Sequence, residues 1–140
     1  MNVTIDRIFN EQKGILAADE SINTMNKRLE SVGLPATKEY RDKWREIIVS
    51  TEGLEKHISG IILSTETFEQ KDDEGVELIK KIQKKKILLG VKLDEGLEDL
   101  DNGEQITKGL YNLKEKADIY KGLGASFAKW RCVYKVEDSL

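Results

Sequence analysis

Four short apolar runs constrain this 140-residue chain more than any other feature: GILAAD (14–19), SGIILST (59–65), ILLGVKLD (87–94) and SFAKWRCVYKV (126–136). Between them lie stretches with helical spacing. Met25, Leu29 and Val32 recur on one side, with Gly33 as a C-cap. Thr37 can cap a helix whose inner face is Tyr40, Trp44, Ile47, Ile48 and Thr51. Val76, Ile79 and Ile82 recur three apart, and Leu110, Leu113, Ala117 and Tyr120 form a stripe ending at Gly122 and Gly124. Near-continuous apolar strands alternating with amphipathic helices predict an α/β fold: four parallel strands, covered by helices, with right-handed crossovers. Two architectures share this pattern, an open doubly wound sheet and part of a (β/α)8 barrel. A whole barrel takes about 250 residues, so this chain could supply about half of one. The only proline is Pro35 and no low-complexity linker interrupts the pattern, so residues 1–140 read as a single domain.

Charge and composition narrow the function. The chain has 23 Lys and Arg against 26 Asp and Glu, a net charge of −3, which implies neither nucleic acid nor a membrane surface as partner. No run approaches the roughly 20 apolar residues of a membrane span, and MNVTIDRIFNEQKG lacks the apolar core of a signal peptide. The only cysteine, Cys132, sits in an apolar run, so no internal disulfide can form and a reducing, cytoplasmic setting is expected.

The polar residues inside the apolar runs carry the chemistry. In parallel α/β folds, ligands collect at the carboxyl ends of the strands. This chain places Asp19-Glu20-Ser21, Ser64-Thr65-Glu66, Lys92 with Asp94 and Glu95, and Lys129 with Arg131 there. Strand alternation puts Lys129 and Arg131 on one face, with Trp130 and Cys132 turned toward the helices. A desolvated cation costs several kcal/mol unless paired, so these amines need anions: Asp19, Asp94, or a phosphate. Asn23 or Thr24 reads as an N-cap, with Lys27 and Arg28 following in about the first turn. Cations are unfavourable at that dipole end unless a phosphate joins them. His57, the only histidine, falls at the amino end of the second strand and reads as a surface or structural residue. KKIQKKK (80–86) reads as a solvated helix face, and Asp72, Asp73 and Glu74 lack metal-ligand spacing. Gly-rich phosphate loops are absent, which weakens a nucleotide-binding reading.

KGILAADES (13–21) with Lys27-Arg28, GIILSTETFEQ (60–70), GVKLDEG (90–96) and FAKWRCVYK (127–135) together resemble class I fructose-bisphosphate aldolase, in order and spacing, from about residue 5 to the end. The resemblance implies the amino-terminal half of a (β/α)8 barrel, with four parallel strands in order 1-2-3-4. It implies reversible cleavage of fructose 1,6-bisphosphate to dihydroxyacetone phosphate and glyceraldehyde 3-phosphate, through a lysine Schiff base and without a metal or other cofactor. By position, Asp19, Lys92 and Lys129 resemble the family's catalytic acid and supporting lysines. Thr24, Lys27, Arg28 and Arg131 resemble its phosphate-holding residues, with threonine at 24 where many members have serine. A phosphorylated sugar is the expected partner, and the full-length enzyme is expected to be a homo-oligomer. The Schiff-base lysine belongs to strands five to eight, which lie beyond Val136-Glu137-Asp138-Ser139-Leu140. Alone, the chain is expected to be inactive and to expose a sheet edge that invites self-association. The residues by themselves leave two other readings open: a sugar-phosphate-binding or interaction module, and an unrelated doubly wound domain.

Overall fold

The computed structural model describes residues 3–9 and 12–136; residues 1, 2, 10 and 11 of the opening segment and the closing 137–140 lie outside it. Helix α1 (Val3–Phe9) leads into β1 (Gly14–Ala18), α2 (Ile22–Ser31), α3 (Lys38–Ser50), β2 (Ile58–Leu63) and the one-turn α4 (Thr65–Phe68). Then follow α5 (Leu78–Lys84), β3 (Leu88–Lys92), β4 (Leu97–Asp99), β5 (Gln105–Thr107), α6 (Leu113–Gly122) and β6 (Phe127–Lys129).

The four apolar runs pair in parallel as one sheet, in the order β1-β2-β3-β6. This corrects the simple 1-2-3-4 count, because β4 and β5 form a separate antiparallel hairpin between the third and fourth sheet strands. Its signal was present in the sequence: Asn102-Gly103 between LED and QIT is a strong hairpin turn, with Gly103 at φ +77.

Alternation explains the two faces of the sheet. Ala18, Ile61, Leu63, Leu89 and Val91 point outward and form the core with Val49, Phe68, Leu78, Ile79 and Ile82. Ile61, Leu78 and Ile82 are fully excluded from solvent. The inner face is lean. Gly60 and Gly90 leave room there for the Phe127 ring: a Cβ on Gly60 would stand 3.2 Å from it, and one on Gly90 would overlap it.

Several helix expectations change. The cap of α2 is Ser21, whose side chain accepts from Thr24 N, rather than Asn23 or Thr24. Thr37 does cap α3, accepting from Tyr40 N. The buried face of α3 is Arg41, Arg45 and Val49, whereas Trp44 and Ile47 are 43% and 64% exposed. Val32 and Leu110 also lie outside the core. Strand β6 stops at Lys129, so alternation does not reach residue 132 and Cys132 is exposed rather than buried.

Gly90→Ala is expected to destabilise the fold by about 1–3 kcal/mol through overpacking against Phe127. Urea unfolding should show the Gly90→Ala/Phe127→Ala pair costing less than the sum of the single changes, since removing the ring removes the clash.

Candidate active site at the carboxyl ends of the strands

Register brings the site together. Ala17 pairs with Ile62, Ile62 with Gly90, and Gly90 with Phe127, so these four share the inner face. Two residues further on, Asp19, Lys92 and Lys129 continue it, and Lys92 and Lys129 are themselves direct partners. Lys129 Nζ donates to Asp19 Oδ2 at 2.6 Å. That bond spans from β1 to β6. In a flat sheet those strands would be roughly 14 Å apart, with side chains standing perpendicular to it. The sheet is therefore curled, concave on the face that carries the amines.

Lys92 is held from the other side. Its Nζ donates to Asp94 Oδ1 at 2.6 Å and to Asp94 O at 2.8 Å. Gly96 N also donates to Asp94 Oδ1, at 3.3 Å, while Asp94 Oδ2 is buried without a protein donor. A buried carboxylate oxygen in that state can accept from a ligand hydroxyl. The hairpin is fastened over this corner by Glu95 N donating to Lys108 O, Lys108 N donating to Gly96 O, and an ion pair between Lys116 and Glu95.

Asp19, Thr24, Arg28, Lys92, Lys129 and Arg131 line one cavity of about 400 Å³. Arg131 reaches it although it follows the end of β6; its carbonyl accepts from Thr107 Oγ1 at 2.5 Å, which ties that segment to the hairpin. Lys27 is the one expected site residue outside this cavity, exposed on α2. With Ser21 as the cap, Lys27 and Arg28 fall beyond the first turn, so the expected cradle of a helix N-terminus flanked by two cations is not formed. Arg28 instead pairs with Glu20 at 2.5 Å. A neighbouring cavity of about 700 Å³ shares Asp19, Lys92 and Asp94 and extends to Glu66, Lys116 and Tyr120.

Glu66 anchors a buried network that the sequence reading missed. Arg41 donates to Glu66 through Nη2 at 2.8 Å and Nε at 3.1 Å, and Arg45 donates through Nη1 at 2.5 Å. Arg41 Nη1 also donates to Asn26 Oδ1 at 2.9 Å. Thus α3 fixes both α4, which carries Glu66, and α2, the helix that presents Thr24 and Arg28. The available signal was the i, i+4 spacing of Arg41 and Arg45, masked by the apolar Trp44 and Ile47. Burial pushes the Glu66 carboxyl up, but the hydrogen bonds from Arg41 and Arg45 outweigh it and hold the group at about 2. His57 is exposed at the amino end of β2, away from these cavities. Among the described residues, no cluster of three or more His, Cys, Asp or Glu side chains could hold a metal.

A family model described as fructose-bisphosphate aldolase class-I matches residues 1–140. This chain belongs to that family. It is 47% identical over 133 residues to the muscle-type fructose-bisphosphate aldolase of Lethenteron camtschaticum, covering 93% of this chain and 37% of the relative. Against the fructose-bisphosphate aldolase of Encephalitozoon cuniculi it is 42% identical over 140 residues, covering 100% of this chain and 41% of the relative. It superposes on the fructose-bisphosphate aldolase of Plasmodium falciparum, solved in complex with TRAP and a small-molecule inhibitor. That match has a TM-score of 0.89 and 40% identity over 93% of this chain and 38% of that one. The chain therefore spans about two fifths of the length of the curated aldolases it matches.

The depressed Glu66 carboxyl sets a pH expectation for this aldolase-family chain. A carboxylate held below its unfolded value contributes stability above about 4.5, and that stability is lost as pH falls toward about 2. Glu66→Gln should lower the urea midpoint at neutral pH and flatten the stability profile across that interval. A variant with an unchanged profile would remove Glu66 from the account of acid sensitivity.

Proposed function

We propose that the protein carrying this chain is a Schiff-base fructose-bisphosphate aldolase of the cytoplasm, and that residues 1–140 form one side of its barrel and its active site. The observation that carries this reading is the Lys129–Asp19 hydrogen bond, 2.6 Å long across the concave sheet, with Lys92 beside it on the same face. An amine and a carboxylate in direct contact can pass a proton between them, which the addition and loss of water at a carbinolamine requires. Asp19 and Lys129 are assigned to that transfer, and Lys92, fixed by Asp94, supplies positive charge to the same cavity. Thr24, Arg28 and Arg131 line the cavity and are assigned to the substrate phosphates. Lys27, one residue before Arg28, adds positive charge near that end. The full-length enzyme is read as a homo-oligomer acting on a phosphorylated sugar, without nucleic-acid or membrane partners. No described helix is long and apolar enough to cross a membrane.

The residues match no counterpart of the family's Schiff-base lysine, so chemistry needs the segment that relatives carry beyond this region. A second reading, a sugar-phosphate-binding or docking module without chemistry, applies to residues 1–140 alone. It is favoured by the open concave face, where Ile15 is 43% exposed.

Borohydride trapping with dihydroxyacetone phosphate separates the readings. The 140 residues alone should take up no covalent label, while a protein continuing through the rest of the barrel should be labelled at one lysine outside them. Trapping at Lys92 or Lys129 would overturn the assignment. In the longer protein, Lys129→Met should lower kcat by about 10²–10⁴-fold, the usual scale for a lost proton-transfer group.

A further inference from the structure

Four cations line the cavity of about 400 Å³ at the carboxyl ends of the strands, and three of them are held at the charged head. Arg28 pairs with Glu20, Lys92 with Asp94 and Lys129 with Asp19. The Arg131 guanidinium makes no hydrogen bond or ion pair among the described residues, so the position of its backbone decides what it can reach. That backbone lies beyond the sheet. The last sheet bond of this strand runs from Leu93 N to Lys129 O at 3.1 Å, and among the described residues no backbone–backbone bond holds residues 130–132. A side chain holds Arg131 instead: Thr107 Oγ1 donates to its carbonyl at 2.5 Å, across 24 positions.

Thr107 can serve as an anchor because the base of its hairpin is clamped. It ends β5, in register with Leu97. Next to it, Lys108 N donates to Gly96 O at 2.9 Å, and Lys108 O accepts from Glu95 N at 3.1 Å. Gly109, at φ +97, lets the chain pass against Glu95, where a Cβ would stand 2.9 Å from Glu95 Cγ. Asp94 Oδ1, which accepts from Lys92, also accepts from Gly96 N. One connected set of bonds therefore runs from the Lys92 ammonium through Asp94, Gly96 and Lys108 to Thr107, and from Thr107 to Arg131. Thr107 itself lines neither cavity at this end of the sheet. From this geometry we infer that Thr107 is a positioning residue: its hydroxyl fixes the Arg131 backbone so that the guanidinium meets a substrate phosphate at a set distance from Lys92. The inference rests on the reading of Arg131 as a phosphate-binding residue. It assigns the effect to one hydroxyl, because valine at 107 would keep the branched shape that suits the strand and would lose the donor.

Phenylglyoxal modification of arginine, read by peptide mass spectrometry on the protein that carries this chain, reports on Arg131 directly. Inorganic phosphate and fructose 1,6-bisphosphate are titrated separately at constant ionic strength, and in the unaltered protein both should protect Arg131. Thr107→Val should raise the half-protection concentration at Arg131 by about fivefold, the scale of one lost hydrogen bond, while Arg28 shifts by less than about twofold. Thr107→Ser keeps the hydroxyl and should titrate like the unaltered protein. Steady-state cleavage should split in the same way, with KM for the bisphosphate up by about fivefold in Thr107→Val and kcat within about twofold. In an Arg131→Gln background Thr107→Val should add nothing, whereas a general loosening of the hairpin would persist there and lower kcat through Lys92. Where urea unfolding shows Thr107→Val to be misfolded, Thr107→Ala takes its place. Protection equal in the unaltered protein and in Thr107→Val, or a Thr107→Ser protein as impaired as Thr107→Val, would overturn the inference and leave the phosphate role of Arg131 standing. Failure of both anions to protect Arg131 in the unaltered protein would overturn that role and the inference together.

Discussion

An ammonium on the inner face of a parallel sheet has to find an anion there, and Asp19 meets that need for Lys129. The bond joins the first and last strands of the sheet, 110 positions apart in sequence. A flat sheet would hold them too far apart, so the bond and the curl of the sheet imply each other. Desolvation weighs on the nearly enclosed Asp19 carboxylate more than on Lys129, whose side chain is 39% exposed, and close pairing offsets it. The rest of the site follows from that concavity. Lys92 lies in register with Lys129, Asp94 turns back to hold it, and Arg131 is carried to the same rim by the segment that leaves β6.

The outer face of the sheet supplies the support. Ile61, Leu63, Leu89 and Val91 pack against α3 and α5 with almost no exposure, which makes the sheet a stiff base for the residues at its ends. The Arg41–Glu66–Arg45 cluster extends that base toward the site. It fastens α4, the turn of helix after β2, and through Asn26 it fastens α2. The placement of Thr24 and Arg28 thus depends on a helix other than their own. The hairpin acts in the same way from the other side, through Glu95, Lys108 and Lys116.

Much of this was legible in the residues. The apolar runs located the four sheet strands, and their carboxyl ends, where ligands gather in such folds, brought Asp19, Lys92 and Lys129 together as candidates. Thr37 identified the start of α3 because a threonine oxygen can satisfy an orphan N–H there. Other expectations failed for local reasons. Ser21 outcompetes Asn23 and Thr24 as the cap because it already sits at the turn that leaves β1. Trp44 and Ile47 suggested the wrong buried face for α3 because hydrophobicity outweighed two arginines in the pattern. No pattern in α3 reveals that Glu66 waits opposite. Cys132 was assigned to a strand that ends three residues earlier, since an apolar run does not announce where its partner strand stops.

By itself, the sequence determined the α/β alternation, the family, and the residue types brought to the carboxyl ends, because strand and helix periods and short motifs are local properties of the chain. Only the tertiary structure decided that the sheet curls enough for Lys129 to reach Asp19, that Lys92 takes Asp94 instead, that Lys27 falls outside the cavity, and that the Thr107 hydroxyl meets the Arg131 carbonyl. Each of these rests on distances between segments remote in sequence, and such distances are set by how layers pack, which no local pattern encodes.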